Sequence, residues 1–84
     1  MDFMTTRNNI KKALADWKEK LVEHDQRVAR LEALVNSYDE NTPEHLYVPT
    51  LNVLKKAREQ ADLIRLNCRA LETELKKYSL KPAA

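Results

Sequence analysis

The chain has 84 residues, contains no glycine, and carries 15 basic and 13 acidic side chains, for a formal net charge of +2. This length suits one small domain, and a glycine-free chain in which a third of the residues are charged is typical of long helices or coiled coils. The nearly balanced charge argues against a strongly basic nucleic-acid surface. No run approaches the roughly 18 apolar residues that a membrane span needs, and the amino end lacks the order of a signal peptide. A cytoplasmic protein that does not enter a membrane is therefore expected.

The first half of the chain carries an unbroken heptad pattern, which is typical of a helix in a coiled coil. Apolar residues follow one another at alternating spacings of four and three from Ile10 to Tyr38, and only His24 places a polar side chain among them. Thr5 and Thr6 are the candidate caps at its amino end. The pattern predicts a first helix over about residues 5–38.

The next segment holds two of the three prolines and is predicted to be a turn over about residues 39–50. Thr42, Pro43 and Glu44 have the character of a helix start, with a capping threonine, a proline at the first position and an acid in the first turn. Pro49 lacks the backbone N–H that a helix interior needs. We therefore expect a short helical turn from Pro43 and then a separate long helix, with one kinked helix from Pro43 as the alternative.

The second half repeats the heptad pattern from Leu54 to Tyr78, and Pro82 stops it. This predicts a second helix over about residues 50–80. The predicted fold is an all-α, antiparallel two-helix coiled-coil hairpin that forms a single domain over residues 1–84. Two hairpins of this kind can assemble into a four-helix bundle.

Charges beside the heptads predict the register of the hairpin. In an antiparallel pair the e positions face each other, and so do the g positions. If Leu21 faces Leu71, four attractive pairs form: Lys18 with Glu72, Asp25 with Arg65, Glu32 with Arg58, and Lys20 with Glu74. A shift of one heptad in either direction brings like charges together, so the charges select the register while the apolar layers supply stability. The same contacts within one chain or between two chains satisfy this pattern equally.

Apolar residues outside the seam are the candidate partner-binding surface. They are Val53, Leu63, Leu66 and Ala70 on the second helix, and Val22 and Ala29 on the first. The predicted function is a non-enzymatic protein–protein interaction module that forms a homodimer or binds a helix of another protein, as an adaptor, chaperone or cochaperone. The competing interpretation is scattered surface leucine and alanine, which is common.

One polar layer lies within the predicted seam, where His24 faces Cys68. One hairpin offers only these two ligands there, which is too few for a structural zinc, and a seam has no pocket for nucleophilic catalysis. A layer that specifies the register, with a buried inert thiol, is the simpler interpretation. We therefore predict no catalytic residue, no metal ligand and no cofactor.

A second hypothesis is a small dimeric helical-hairpin regulator that binds RNA or DNA. It depends on basic residues that the hairpin gathers at its open end, opposite the turn: Arg7, Lys11, Lys12, Lys76, Lys77 and Lys81. Acidic residues interleave with them, which weakens the basic surface that phosphate binding requires.

The segment from Thr42 to Ile64, "TPEHLYVPTLNVLKKAREQADLI", resembles the small helical-hairpin cochaperones of bacterial type III secretion needles. The similarity lies in the turn proline Pro43 and in the second helix with Glu59, Gln60 and Ala61. The resemblance implies a non-enzymatic protein that, with a tetratricopeptide-like chaperone, keeps a polymerising needle subunit soluble. It does not account for the basic open end or for the long first helix.

Overall fold

The computed structural model describes residues 3–79, which form an antiparallel hairpin of two long helices. Helix α1 (Phe3–Asn36) has 34 residues and helix α2 (Glu44–Ser79) has 36. The predicted all-α hairpin is confirmed, and the two helices pack against each other within one chain.

The seam between the helices is the core of the molecule, and every buried apolar residue lies at a heptad position predicted to face it. These residues are Leu14, Leu54, Ala57, Ala61, Ile64 and Cys68. All but Leu14 belong to α2, and the partly buried Trp17, Leu21, Leu71 and Leu75 pack around the cluster of Leu14, Ile64 and Cys68. Ala57 and Ala61 are only 1% and 3% exposed, so α1 already fills the space above them.

Three ion pairs across the seam confirm the predicted register. Lys18 Nζ lies 3.8 Å from Glu72 Oε1, Arg58 Nη2 lies 3.3 Å from Glu32 Oε1, and Arg65 Nη2 lies 3.1 Å from Asp25 Oδ1. All three line the same side of the seam, where the e positions meet.

The fourth predicted pair, between Lys20 and Glu74, is wrong. The ammonium of Lys20 instead lies 4.8 Å from the centre of the Trp17 ring. Glu74 Oε2 accepts a hydrogen bond from Lys77 Nζ at 3.3 Å, one turn along the same helix. Both charges have partners within their own helix, which cost less side-chain ordering than a contact across the seam. The g side of the seam therefore has no ion pair between the helices within residues 3–79.

The two helices are staggered, which the predicted boundaries did not anticipate. In the confirmed register Asn36 lies level with Lys56, whereas α2 already begins at Glu44. The first three turns of α2 thus extend about 18 Å beyond the end of α1, at about 1.5 Å per residue. Because the helices are staggered in this way, the molecule is 68 Å long, although each helix is only roughly 51–54 Å long.

The connection over residues 37–43 runs back along these first turns of α2 and is held there by Tyr38. Its ring lies 6.0 Å, centre to centre, from the ring of Tyr47, at an angle of 60°. Thr50 Oγ1 donates to the carbonyl of Leu46, so the Tyr38 hydroxyl is the donor in its 3.3 Å contact with Thr50 Oγ1. The first helix therefore ends at Asn36, two residues before the predicted boundary, and Tyr38 packs from the connection instead.

The predicted turn over residues 39–50 is too long, because α2 runs without interruption from Glu44 through Pro49. Of the alternative, a kinked helix from Pro43, the continuity through Pro49 is confirmed, with Glu44 as the first helical residue. The carbonyl of Pro43 accepts the first helical hydrogen bonds, from the N–H groups of Leu46 at 3.0 Å and Tyr47 at 3.1 Å. Pro49 removes one hydrogen bond, the one to the carbonyl of His45, on a turn that is exposed to solvent and so leaves that carbonyl open to water.

Two predicted helix caps are also wrong. Thr5 and Thr6 lie inside α1, whose described part begins at Phe3. The hydroxyl of Thr42 accepts a hydrogen bond from the N–H of Asp39 at 2.9 Å, so it closes the turn before α2 rather than capping the helix. An Asx turn, in which Asn41 N–H donates to Asp39 Oδ1 at 2.8 Å, completes this tight loop without glycine.

Candidate protein interface

The outward face of α2 carries the most exposed pair of neighbouring apolar side chains in the described part of the chain. Leu63 is 61% exposed and Leu66 is 57% exposed, and Ala70 continues the same stripe one turn further on. The three residues follow each other at spacings of three and four, which places them on one face of the helix. This outer stripe points away from α1, because the seam residues of α2 occupy the opposite face.

The charged residues around the outer stripe are distributed unevenly. A shallow depression beside Leu66 is lined by Asp62, Arg65 and Arg69. The other edge carries the uncharged amides Gln60 and Asn67. One edge of the outer stripe is thus suited to ion pairs and the other to hydrogen bonds.

The predicted contact residues on α1 form a separate surface. Val22 is 56% exposed and Ala29, seven residues later, is exposed as well. Their heptad position places them beside the ion-paired side of the seam, whereas Leu63 lies toward the opposite side. The structure therefore does not join these two groups into one patch, and the α1 group offers the smaller apolar area.

Val53 is 41% exposed, but it belongs to a third group that the sequence reading missed. The polar side chains of Lys56, Glu59 and Gln60 separate Val53 from Leu63. Four other apolar residues toward the turn end of the hairpin are exposed as well: Leu34 at 44%, Leu46 at 50%, Tyr47 at 37% and Val48 at 47%. The spacing of Leu46, Pro49 and Val53 predicts one helical face, but only if α2 is taken to continue through Pro49.

The basic open end is less basic in the structure than in the sequence. Lys77 forms an ion pair with Glu74, and Lys81 lies outside the described residues. The remaining candidates have no ion pair within residues 3–79; they are Arg7, which is half-buried, and the exposed Lys11, Lys12 and Lys76. Arg7 and Lys12 lie beyond the level of Ser79 in the confirmed register, and Lys11 lines a shallow depression with Leu14 of α1 and Leu75 of α2.

The polar layer of the seam holds one unsatisfied atom. His24 Nδ1 is buried and has no hydrogen-bond partner among the described residues, and Cys68 is 4% exposed with a free thiol. Within residues 3–79, no group of three or more His, Cys, Asp or Glu side chains is placed to hold a metal ion. In the same range, neither helix has a segment that is both long and apolar enough to cross a membrane.

Comparison of the chain with protein-family models, with curated proteins and with solved structures found no significant match.

Proposed function

We propose that this protein is a non-enzymatic protein–protein interaction module whose binding surface is the outer stripe of α2. The observation that carries the proposal is the exposure of Leu63 and Leu66, at 61% and 57%, on the face of α2 that lies opposite the seam. Covering the exposed part of each leucine contributes roughly 1–2 kcal/mol for each side chain. A hairpin with so thin a core gains substantially from that burial.

The outer stripe is better suited to this role than the other exposed groups. It places two leucines within one helical turn, so an approaching helix contacts both side chains together. On α1, Val22 and Ala29 are seven residues apart and offer less apolar surface. The group near the turn surrounds a helix start that the connection already covers on one side through Tyr38.

Leu66→Glu tests this function, with Val22→Glu as the matched control on α1. Because both residues are more than half exposed, we expect circular dichroism to show that each variant still folds as a helical hairpin. We expect Leu66→Glu to abolish association and Val22→Glu to retain it, as measured by light scattering over a concentration series and by capture of partner proteins. The opposite result would place the interface on α1. The proposed function would be contradicted if the wild-type protein stays monomeric and captures no protein that the Leu66→Glu variant fails to capture.

The resemblance to needle cochaperones supports a specific version of this function, in which α2 contacts a helical chaperone. The resembling segment runs from Thr42 to Ile64 and ends beside the outer stripe. Mixing the protein with a tetratricopeptide-like chaperone and measuring complex formation by light scattering tests this version. Loss of the complex in Leu66→Glu is the expected result.

Nucleic-acid binding at the open end is the second candidate, favoured by the four basic residues there that have no ion pair in the described chain. If it is correct, a fluorescent RNA or DNA binds at low salt and is released at moderate salt, because binding depends on phosphate contacts. Lys11→Glu combined with Lys12→Glu then removes the binding, whereas Leu66→Glu leaves it unchanged.

A further inference from the structure

The two edges of the outer stripe are self-complementary under a two-fold rotation. Asp62 and Arg69 lie on the same edge, seven residues apart, with opposite charges. Gln60 and Asn67 lie on the other edge at the same spacing. A two-fold axis perpendicular to α2, passing midway between Leu63 and Leu66, exchanges the members of each pair.

From this symmetry we infer that the outer stripe binds a second copy of this chain, with the two α2 helices antiparallel. Leu63 then faces Leu66 of the second copy, and the same contact occurs again on the other side of the axis. Asp62 faces Arg69 of the second copy, also twice, and Gln60 faces Asn67. This dimer rests on the proposed function and identifies the partner.

The state of the two charged residues in one hairpin agrees with this assignment. The guanidinium of Arg69 has no ion pair within residues 3–79. Asp62 uses one carboxylate oxygen, Oδ1, to accept a hydrogen bond from Arg65 Nη1 at 2.9 Å. Its Oδ2 has no partner in the described chain, so it is available to a guanidinium from outside.

Registers one heptad away are poorer. In one of them Arg69 meets Arg69 of the second copy across the axis while Asp62 faces Lys76 twice, so charge does not disfavour it; it is poorer because Leu63 faces Thr73 and Leu66 faces Ala70. In the other, Leu66 faces Lys56, and Asp62 meets Asp62 of the second copy. The inferred register alone among the three stacks leucine on leucine. It also sets Lys55 opposite Lys76 of the second copy twice, about 16 Å from the axis on either side, where both long side chains extend into solvent and are screened by salt.

The geometry also defines how the four helices are arranged. Since the outer stripe lies opposite the seam, the order across the dimer is α1, α2, then α2 and α1 of the second copy. The helices form a flat row and not a square bundle. Val53 lies one heptad before Gln60 on the same edge and faces Glu74 of the second copy, whereas Leu46 lies beyond the level of Ser79 of the second copy.

Charge reversal tests the dimer, because position 62 faces position 69 of the second copy at two symmetric contacts. Asp62→Arg alone places two positive charges together at both contacts, and Arg69→Asp alone places two negative charges together at both. We expect each variant to raise the dimer dissociation constant roughly tenfold, from two exposed pairs that change sign. Mixing the two variants places an introduced arginine against an introduced aspartate at one contact and leaves Asp62 facing Arg69 at the other. We expect the mixture to form a heterodimer with a dissociation constant within about threefold of the wild type.

The measurement is light scattering of each variant, the mixture and the wild type from micromolar to millimolar concentration, with circular dichroism to verify folding. Recovery on mixing cannot come from a change in the stability of one hairpin. A mixture that dissociates as readily as its components, beside a dimeric wild type, overturns the register. If the wild type is monomeric at every concentration, the inference that the partner is a second copy is wrong. Capture of another protein through Leu66 would then still support the proposed function.

Discussion

Arg65 of α2 reaches across the seam and donates from Nη2 to both carboxylate oxygens of Asp25, at 3.1 and 3.2 Å, while its Nη1 donates to Asp62 Oδ1 at 2.9 Å. One guanidinium thus links α1, α2 and the edge of the outer stripe. Because all three side chains are substantially exposed, this link contributes to the choice of register more than to stability.

A double-mutant cycle on Asp25 and Arg65 is expected to give a coupling energy of about 0.2–1 kcal/mol. Lys20 and Glu74 are the matched control, since the same heptad rule pairs them but the structure does not. Their cycle is expected to give no coupling. Urea unfolding at one fixed protein concentration measures both values. Equal coupling energies in the two cycles would mean that Lys20 does reach Glu74 across the seam.

His24→Leu is expected to stabilise the protein, because it removes a buried Nδ1 that has no hydrogen-bond partner in the described chain. Removing such a group gains about 1–3 kcal/mol. Thermal unfolding followed by circular dichroism provides the measurement. His45→Leu is the control, since His45 is exposed at the start of α2 and the change there is expected to be small. A lower melting temperature for His24→Leu would show that the imidazole contributes a contact that the seam needs.

Pro49→Ala is expected to stabilise the first turns of α2. Alanine restores the N–H that can bond to the carbonyl of His45, and it removes the steric conflict of the proline ring within a helix. The expected gain is about 1–3 kcal/mol, reduced by the greater freedom of the unfolded chain. Pro43→Ala is the control, because Pro43 precedes the helix and its missing N–H costs nothing there. Amide hydrogen exchange over residues 44–53 measures both effects. Faster exchange in Pro49→Ala than in the wild type would contradict this account.

The sequence alone was sufficient to predict the seam, the reversal of the chain and three ion pairs. Heptad spacing places Leu14, Ile64 and Cys68 on the buried faces whatever the length of the turn. The register has only a few possible values, because one helix must slide along the other by a whole heptad to keep the apolar residues in the seam. A few exposed charges, such as Asp25 and Arg65, are therefore enough to select it.

The tertiary structure decided what depends on competing contacts of similar energy. Lys20 had both Trp17 and Glu74 within reach, and no spacing rule states which it prefers. Whether the helix continues through Pro49 depended on the cost of one lost hydrogen bond set against the packing of Tyr38 on Tyr47 and Thr50. The continuation of α2 through Pro49 sets how far α2 extends past Asn36, and Leu46 and Val53 are exposed on that part of the helix. The contact of Tyr38 with Tyr47 and Thr50 becomes visible only once the chain has turned back on itself, because it joins residues whose separation in the sequence carries no periodic signal.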